Sequence, residues 1–423
     1  MYKIYCLLFL ILNFNLVAQS QSKRALFLGN SYTFYNDLPQ LVADVALSAG
    51  DTLVVESNTQ GGYTLEDHSN DQVSIGKIEQ GGFDFVVLQE QSQLPSFPIE
   101  QVETDVYPYA KILDSLINLY NPCAETIFYM TWGRMNGDYD NCPTWPPVCT
   151  YQGMDSLLNL RYKILAETNN AFLSPVGEVW KYVRENYPLI NLYNADESHP
   201  SPEGSYLAAC TFYSIIFRKD PSLISYNAAL SEEQANNIKN SAKLIVFDSL
   251  ANWHVGAFDP VANFSFTTAE NTEITFINTS SNSDLYAWEF GDGESSSIEN
   301  PTYLYTAPGM YNVILTATKC GVQNSFSQTV NIMPTATSEI KTDQLINFVY
   351  PNPAKSELHF LKDKLPINFQ YKIFNALGDE LVINNRGNDQ NDIDISLIEK
   401  GIYFLRFYGA NQLPIGQIKF VKE

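Results

Sequence analysis

Basic side chains are scarce: 25 Lys and Arg stand against 47 Asp and Glu, a formal net charge of −22 over 423 residues. A surface of that sign repels phosphates and argues against nucleic acid as a partner. Long apolar runs are missing as well. Beyond the N-terminus no stretch approaches the ~18 uninterrupted apolar residues of a membrane-crossing helix. Histidine occurs only four times, at 68, 199, 254 and 359. None lies near a cysteine in the chain, so the usual zinc ligand patterns are absent, and no metal or cofactor is expected. The length itself calls for two to four domains.

At the N-terminus, "MYKIYCLLFLILNFNLVAQSQSK" sets Lys3 before an apolar run from Ile4 to about Val17, with small residues at Ala18 to Ser20. That pattern predicts a secretory signal peptide over 1–20, lost on export together with Cys6. Five cysteines then remain. Cys142 and Cys149 bracket "CPTWPPVC" and suit a disulfide staple. Cys123 and Cys210 are a further pairing that the sequence leaves open, and an odd count leaves at least one thiol unpaired.

Residues 24–255 alternate short apolar runs with helical patterns. "ALFLG" (25–29), "TLVVE" (52–56), "FDFVVLQ" (83–89), "TIFYMTW" (126–132) and "AFLSPV" (171–176) read as strands of a covered parallel sheet. Ala110, Leu113 and Ile117, then Leu158, Tyr162 and Leu165, fall at helical spacing, and Ser201-Pro202 opens another helix. The order predicts a three-layer α/β/α sandwich with a mainly parallel sheet. After Trp253 the texture turns to period-2 stretches with Gly-rich turns, giving all-β modules over 258–333 and 345–423 around a polar linker at 334–344.

Chemistry needs a base, and His199 is the best-placed imidazole. It lies in "NADESHPSPEG", three residues after Asp196, a carboxylate able to fix one ring nitrogen and leave the other for a serine. Ser31 supplies that serine, in "FLGNSYT" where the first strand ends. Open α/β sheets bind ligands outside the carboxyl ends of their strands. His68 reads as structural or exposed, and Asp37, Glu56 and Asp67 take no role. Trp132 and Arg134 open a long aromatic loop, "MTWGRMNGDYDNCPTWPPVC", and are candidates to stack on or orient a sugar-like substrate.

These blocks resemble the SGNH (GDSL-like) hydrolase family, over about 24–250. "FLGNSYT" is similar to its first block, making Ser31 the nucleophile. "NTQGGYTL" is similar to the second, whose glycine lends a backbone N–H to the oxyanion hole, here Gly62 with Gly61 as the neighbouring choice. "DESHP" is similar to the last, carrying Asp196 and His199 as the other triad members. The family's Gly-x-Asn-Asp block is lacking; "VVLQEQSQLP" stands there instead. A glutamine amide can donate as asparagine does, so Gln89 and Gln91 are the candidate third donors beside the Ser31 and Gly62 N–H groups, with Gln93 a further choice. The resemblance implies a flavodoxin-like domain and a serine esterase without cofactor; acylated carbohydrate is expected as its ester substrate from the attached β module and the export context. A non-catalytic surface protein that only binds glycan on the same scaffold is the competing reading.

"YAWEFGDGESSSIENPTYLYTAPGMYNVILTATKCG" resembles a PKD domain through Trp288, Phe290, Gly291, Asp292 and Gly293, then Pro301, Tyr305, Gly309, Tyr311 and Val313. It implies an Ig-like spacer or adhesion module. The last segment, with Tyr350-Pro351-Asn352-Pro353, Gly401-Ile402-Tyr403 and Lys419, resembles the C-terminal sorting domain of the type IX secretion system. That implies the secretion machinery as partner and a secreted or surface location.

Overall fold

A computed structural model describes residues 20–268, 273–333, 349–361, 369–381, 392–408 and 414–423. The expected signal peptide, save its last residue, and the 334–344 linker lie outside these. Five strands form one parallel sheet: β1 (Ser22–Gly29), β2 (Thr52–Thr59), β3 (Phe85–Leu88), β4 (Glu125–Tyr129) and β5 (Phe172–Ser174), in the order β2-β1-β3-β4-β5. Every neighbouring pair runs parallel. Ala25 to Leu28 and Val86 to Leu88 have no exposed surface, which is why these runs are continuously apolar rather than alternating. All five expected runs contain a strand, but β4 stops at Tyr129, short of Trp132, and β5 covers only Phe172–Ser174. β3 is shorter than its apolar run because Gln89 already belongs to the loop that follows.

The helices are α1 (Ser31–Phe34), α2 (Leu38–Ser48), α3 (Leu65–Asn70), α4 (Gln72–Gln80), α5 (Ile99–Asp105), α6 (Tyr107–Tyr120), α7 (Tyr151–Thr168), α8 (Val176–Asn186), α9 (Pro202–Phe217) and α10 (Glu232–Ile245). The chain steps one way across the sheet from β1 to β2 and the other way from β2 to β3. Right-handed crossovers therefore put α2 on one face and α3 and α4 on the opposite one. Helix α9 packs with α2 and α10, and α6 packs with α3 and α4, completing three layers. The reversal at β1 and β3 opens the crevice where such sheets bind ligands.

Two compact units divide the chain. The first gathers the described residues up to Ala262 with Ser280–Leu285 and Ala317–Asn324; the second holds Asn263–Thr279, Tyr286–Thr316 and Ser325–Glu423. Within the first, Cys142 and Cys149 form the expected staple. The other bond corrects the sequence reading: Cys123 joins Cys320, not Cys210. Cys210 lies wholly buried inside α9 as a free thiol, while Cys123 sits in the turn before β4. Within the second unit Trp288 packs its ring 4.9 Å from Phe264 and 5.2 Å from Phe276, with Phe290 buried nearby. Gly291 and Gly293 take φ of 86° and 103°, the turn backbone only glycine adopts freely. The C-terminal strands enclose their own core of Leu358, Ile373, Leu405 and Phe420.

Helix α9 begins as the sequence suggested: Ser201 Oγ accepts from the Gly204 N–H at 3.0 Å, and Pro202 is the first helical residue. A Cβ on Gly204 would stand 2.4 Å from the Leu192 carbonyl oxygen and 2.6 Å from the Trp180 ring. Gly204→Ala is therefore expected to lower stability by about 1–3 kcal/mol, read by denaturant unfolding. An unchanged midpoint would show that α9 can shift away at no cost.

Candidate functional site

Strand β1 ends at Gly29, and Asn30 caps the short helix α1 by accepting from the Tyr32 N–H. Ser31 thus becomes the first residue of a helix at the carboxyl edge of the sheet. His199 reaches it from 168 residues away, its Nε2 lying 2.8 Å from Ser31 Oγ. The other ring nitrogen, Nδ1, lies 2.5 Å from Asp196 Oδ2. The second carboxylate oxygen, Oδ1, accepts the Ser198 and His199 backbone N–H groups at 3.1 and 2.9 Å. One side chain therefore shapes the loop and orients the imidazole. Burial raises the Asp196 pKa, but the His199 ring and the backbone donors outweigh it, and the net shift is downward. The carboxylate is thus kept charged beside the imidazole.

The loop is held from below. Tyr32 is buried, its hydroxyl 2.7 Å from Ser198 Oγ, and its ring meets His199 edge-on at 5.3 Å. Tyr35 lies face-on against His199 at 4.3 Å, with Phe34 beside it and 42% exposed. Glu197 takes a left-handed φ of 62°, fixed by the Met135 N–H on its carbonyl and Asn136 Nδ2 on its carboxylate. Trp132 corrects the sequence reading. It is wholly buried, stacked on Trp180 at 3.7 Å and on Tyr32 at 4.9 Å, and its indole donates to the Ser198 carbonyl. No sugar ring can stack there; Trp132 supports the histidine loop. Arg134 is half-buried and pairs with Asp138 at 3.2 Å, a buried carboxylate that also accepts from Gln93 and Asn141.

Gln89 is the second correction. It has no exposed surface, its Oε1 accepts from the Asn30 N–H at 2.9 Å and Thr33 Oγ1 at 2.8 Å, and its Nε2 donates to the Glu90 carbonyl. The amide faces the nucleophile turn from inside and cannot meet a substrate oxygen. Gly29 is needed for this fit, since a Cβ there would stand 2.8 Å from Gln89 Oε1. Gln91 is half-buried; its Oε1 accepts from the Gln93 and Leu94 N–H groups and its Nε2 donates to Gln93. Gly61 and Gly62 form an exposed turn after β2, Gly62 at φ 77°. His68 is structural, buried with Nε2 3.0 Å from the Gly29 carbonyl and Nδ1 2.8 Å from Ser74 Oγ. Desolvation lowers its pKa, opposed by the Gly29 carbonyl.

Sequence reading passed over Asn30, Tyr35 and Glu90. Asn30 is buried and donates its amide to the Tyr63 carbonyl at 2.8 Å, tying the serine turn to the glycine turn. Glu90 is a carboxyl without exposed surface in the midst of "VVLQEQ", and a charged residue next to an apolar strand was the signal available. Among the described residues no cluster of His, Cys, Asp and Glu could hold a metal. A cavity of about 1010 Å³ opens elsewhere, at the amino ends of the strands, lined by Lys23, Phe85, Glu125 and Arg218 among others.

The fold and site define an α/β/α domain with a serine, imidazole and carboxylate in hydrogen-bonded sequence. Residues 258–333 match the PKD domain model, and residues 348–422 match the secretion system C-terminal sorting domain. The sorting module addresses the chain to the type IX secretion machinery, and hence to the cell surface or beyond. A pre-pro-metalloprotease, PrtV, from Vibrio cholerae is 38% identical over 78 residues, 17% of this chain but 8% of that protein. Two solved structures resemble the chain at low identity. A DUF4886 family protein from Bacteroides uniformis is 16% identical, covering 54% of this chain and 96% of its own at a TM-score of 0.47. A candidate SGNH hydrolase from Slackia heliotrinireducens is 24% identical, covering 46% and 99% at 0.39. What the first domain can do is therefore read from its own atoms.

Burial pushes the Glu90 carboxyl up to about 8, only partly opposed by the Gln91 and Leu65 N–H groups, while the Asp67 and Asp105 charges add to the rise. The folded chain then keeps a proton that the unfolded chain releases from about pH 4.5 upward. Its stabilising effect is full below that pH and is lost as pH rises through about 8. Glu90→Gln should remove this slope, so unfolding free energies at pH 5 and 8.5 should converge in the variant relative to wild type. Parallel pH dependence in the two proteins would contradict the assignment.

Proposed function

We propose that the first domain is a serine esterase of the SGNH type, working through an acyl-enzyme. The observation that carries this reading is the chain of hydrogen bonds from Ser31 Oγ through His199 to Asp196 at the carboxyl edge of the sheet. His199 Nε2 takes the Ser31 proton as Oγ attacks the ester carbonyl, and Asp196 stabilises the imidazolium that forms. The oxyanion is received by the backbone N–H groups of Ser31 and Gly62. His199 then protonates the departing alcohol, and the same nitrogen activates water to release the acid and regenerate the hydroxyl. The chemistry needs no bound cofactor.

The substrate proposed is an O-acylated, most simply O-acetylated, carbohydrate outside the cell. The export signal and the attached PKD module support it by association. Phe34 and Tyr35 add an aromatic face beside His199 on which a sugar ring could rest. Arg134 is proposed as an orienting group through the donors its Asp138 pairing leaves over.

Ser31→Ala in the full mature chain should lower hydrolysis of p-nitrophenyl acetate by on the order of 10⁴-fold, and Asp196→Asn by about 10³-fold or more, with far-ultraviolet circular dichroism unchanged. Equal turnover by wild type and Ser31→Ala would sink the esterase reading and favour the glycan-binding alternative. Release of acetate from acetylated polysaccharides, set against short acyl esters, tests the substrate. Removing residues 345–423 should leave the protein trapped in the cell envelope with its esterase activity intact; normal appearance in the medium would contradict the sorting role.

A further inference from the structure

The loop after β3 places two buried side chains between the turns that carry the oxyanion donors, and only Gln89 has so far been accounted for. Glu90 has no exposed surface. Its Oε1 and Oε2 lie 3.2 and 3.3 Å from the Leu65 nitrogen, and Oε1 also accepts the Gln91 N–H at 2.5 Å. Leu65 stands three residues beyond Gly62, at the end of the same glycine turn.

That turn has little of its own to hold it. Gly61 and Gly62 are exposed, and a Cβ on either would touch nothing within 4 Å. Its shape must come from its flanks. Directly after the glycines Asn30 Nδ2 grips the Tyr63 carbonyl, and the Tyr63 N–H bonds back to the Gln60 carbonyl. One and two residues further on, Thr64 and Asp67 close a capping box, and Glu90 takes the Leu65 N–H. The capping box lies within one segment and fixes no position relative to Ser31. Glu90 does, because its own backbone extends β3, whose Leu88 pairs with Leu28 of β1. Burying a carboxyl disfavours its charged form, and a leucine or methionine at the site would avoid that penalty. Costs of this kind persist where a site requires a fixed geometry.

We propose, on the esterase reading above, that Glu90 is a positioning residue of the oxyanion hole: it ties the glycine turn to the strand beside the nucleophile and so fixes the direction of the Gly62 N–H. In this arrangement the hole has two backbone donors, and "QEQ" braces it from within. Gln89 holds the serine turn through Asn30 and Thr33, while Glu90 holds the glycine turn through Leu65. The missing Gly-x-Asn-Asp block is replaced by a brace and not by another donor.

The test uses the full mature chain with Glu90→Leu, which removes the acceptor for the Leu65 N–H, and with Glu90→Asp, which keeps the carboxyl but draws it back by one methylene. Each should lower kcat for p-nitrophenyl acetate by about 10- to 100-fold, the loss that follows a misplacement of about 1 Å, with KM within about threefold of wild type. Amide hydrogen exchange should quicken at residues 60–65 and stay at wild-type rates in α6 and α9. A folded variant with wild-type kcat, or with a change in KM alone, overturns the proposal. So does unchanged exchange at 60–65. If wild type and Ser31→Ala are equally inert toward esters, the esterase reading is what has failed, and the exchange measurement still decides whether Glu90 holds the turn. If Glu90→Leu does not fold, Glu90→Asp carries both readouts.

Discussion

The strand order β2-β1-β3 puts three carboxyl ends side by side, at the ~4.8 Å spacing of a sheet. The turns leaving those ends carry the glycine pair, the serine and the glutamine-rich loop. Parallel pairing with register Gly29 to Thr59 and Leu28 to Leu88 fixes them against one another before any side chain is considered. Everything at the site is fitted to that row. His199 arrives from the far end of the domain, brought in by the loop ahead of α9.

Polar groups around the row divide by burial. His68, Gln89, Glu90, Asn30 and Asp138 are buried and each is hydrogen-bonded to protein. Their role is geometric, since a buried polar group keeps its partners or pays for losing them. Asp196 and His199 are partly open to solvent, with side chains 46% and 25% exposed. A group that exchanges protons with substrate and water has to be reachable. The exposed pair is stiffened from the protein side instead, by Tyr32, Tyr35 and the buried Trp132–Trp180 stack.

Beyond the α/β domain the chain is built for life outside the cell. The PKD match, the secretion sorting match and two disulfides among the described residues belong to one setting, in which oxidising conditions preserve the bonds. The antiparallel sheets form β-sandwich modules, with Trp288 and Phe290 in one core and Leu405 and Phe420 in another. The strong acidic balance keeps such a surface soluble and sets no fold.

Local pattern determined a great deal by itself. Five apolar runs, the Ser201-Pro202 helix start, the Cys142–Cys149 staple and the alternation at Trp288 and Phe290 each depend on neighbours in the chain, and each appears where the residues placed it. The serine was legible from its place at a strand end, and the aspartate and histidine from their spacing of three residues; the meeting of the two parts spans 168 residues. Tertiary structure alone decided what faces what. Cys123 meets Cys320 across 197 residues. Trp132 turns into the core though it stands at the head of a long aromatic loop, and Gln89 turns inward though its amide was chemically able to donate outward. A side chain's type limits which bonds it can make. Which of those it does make depends on the direction its strand leaves it pointing and on groups that arrive from elsewhere in the chain.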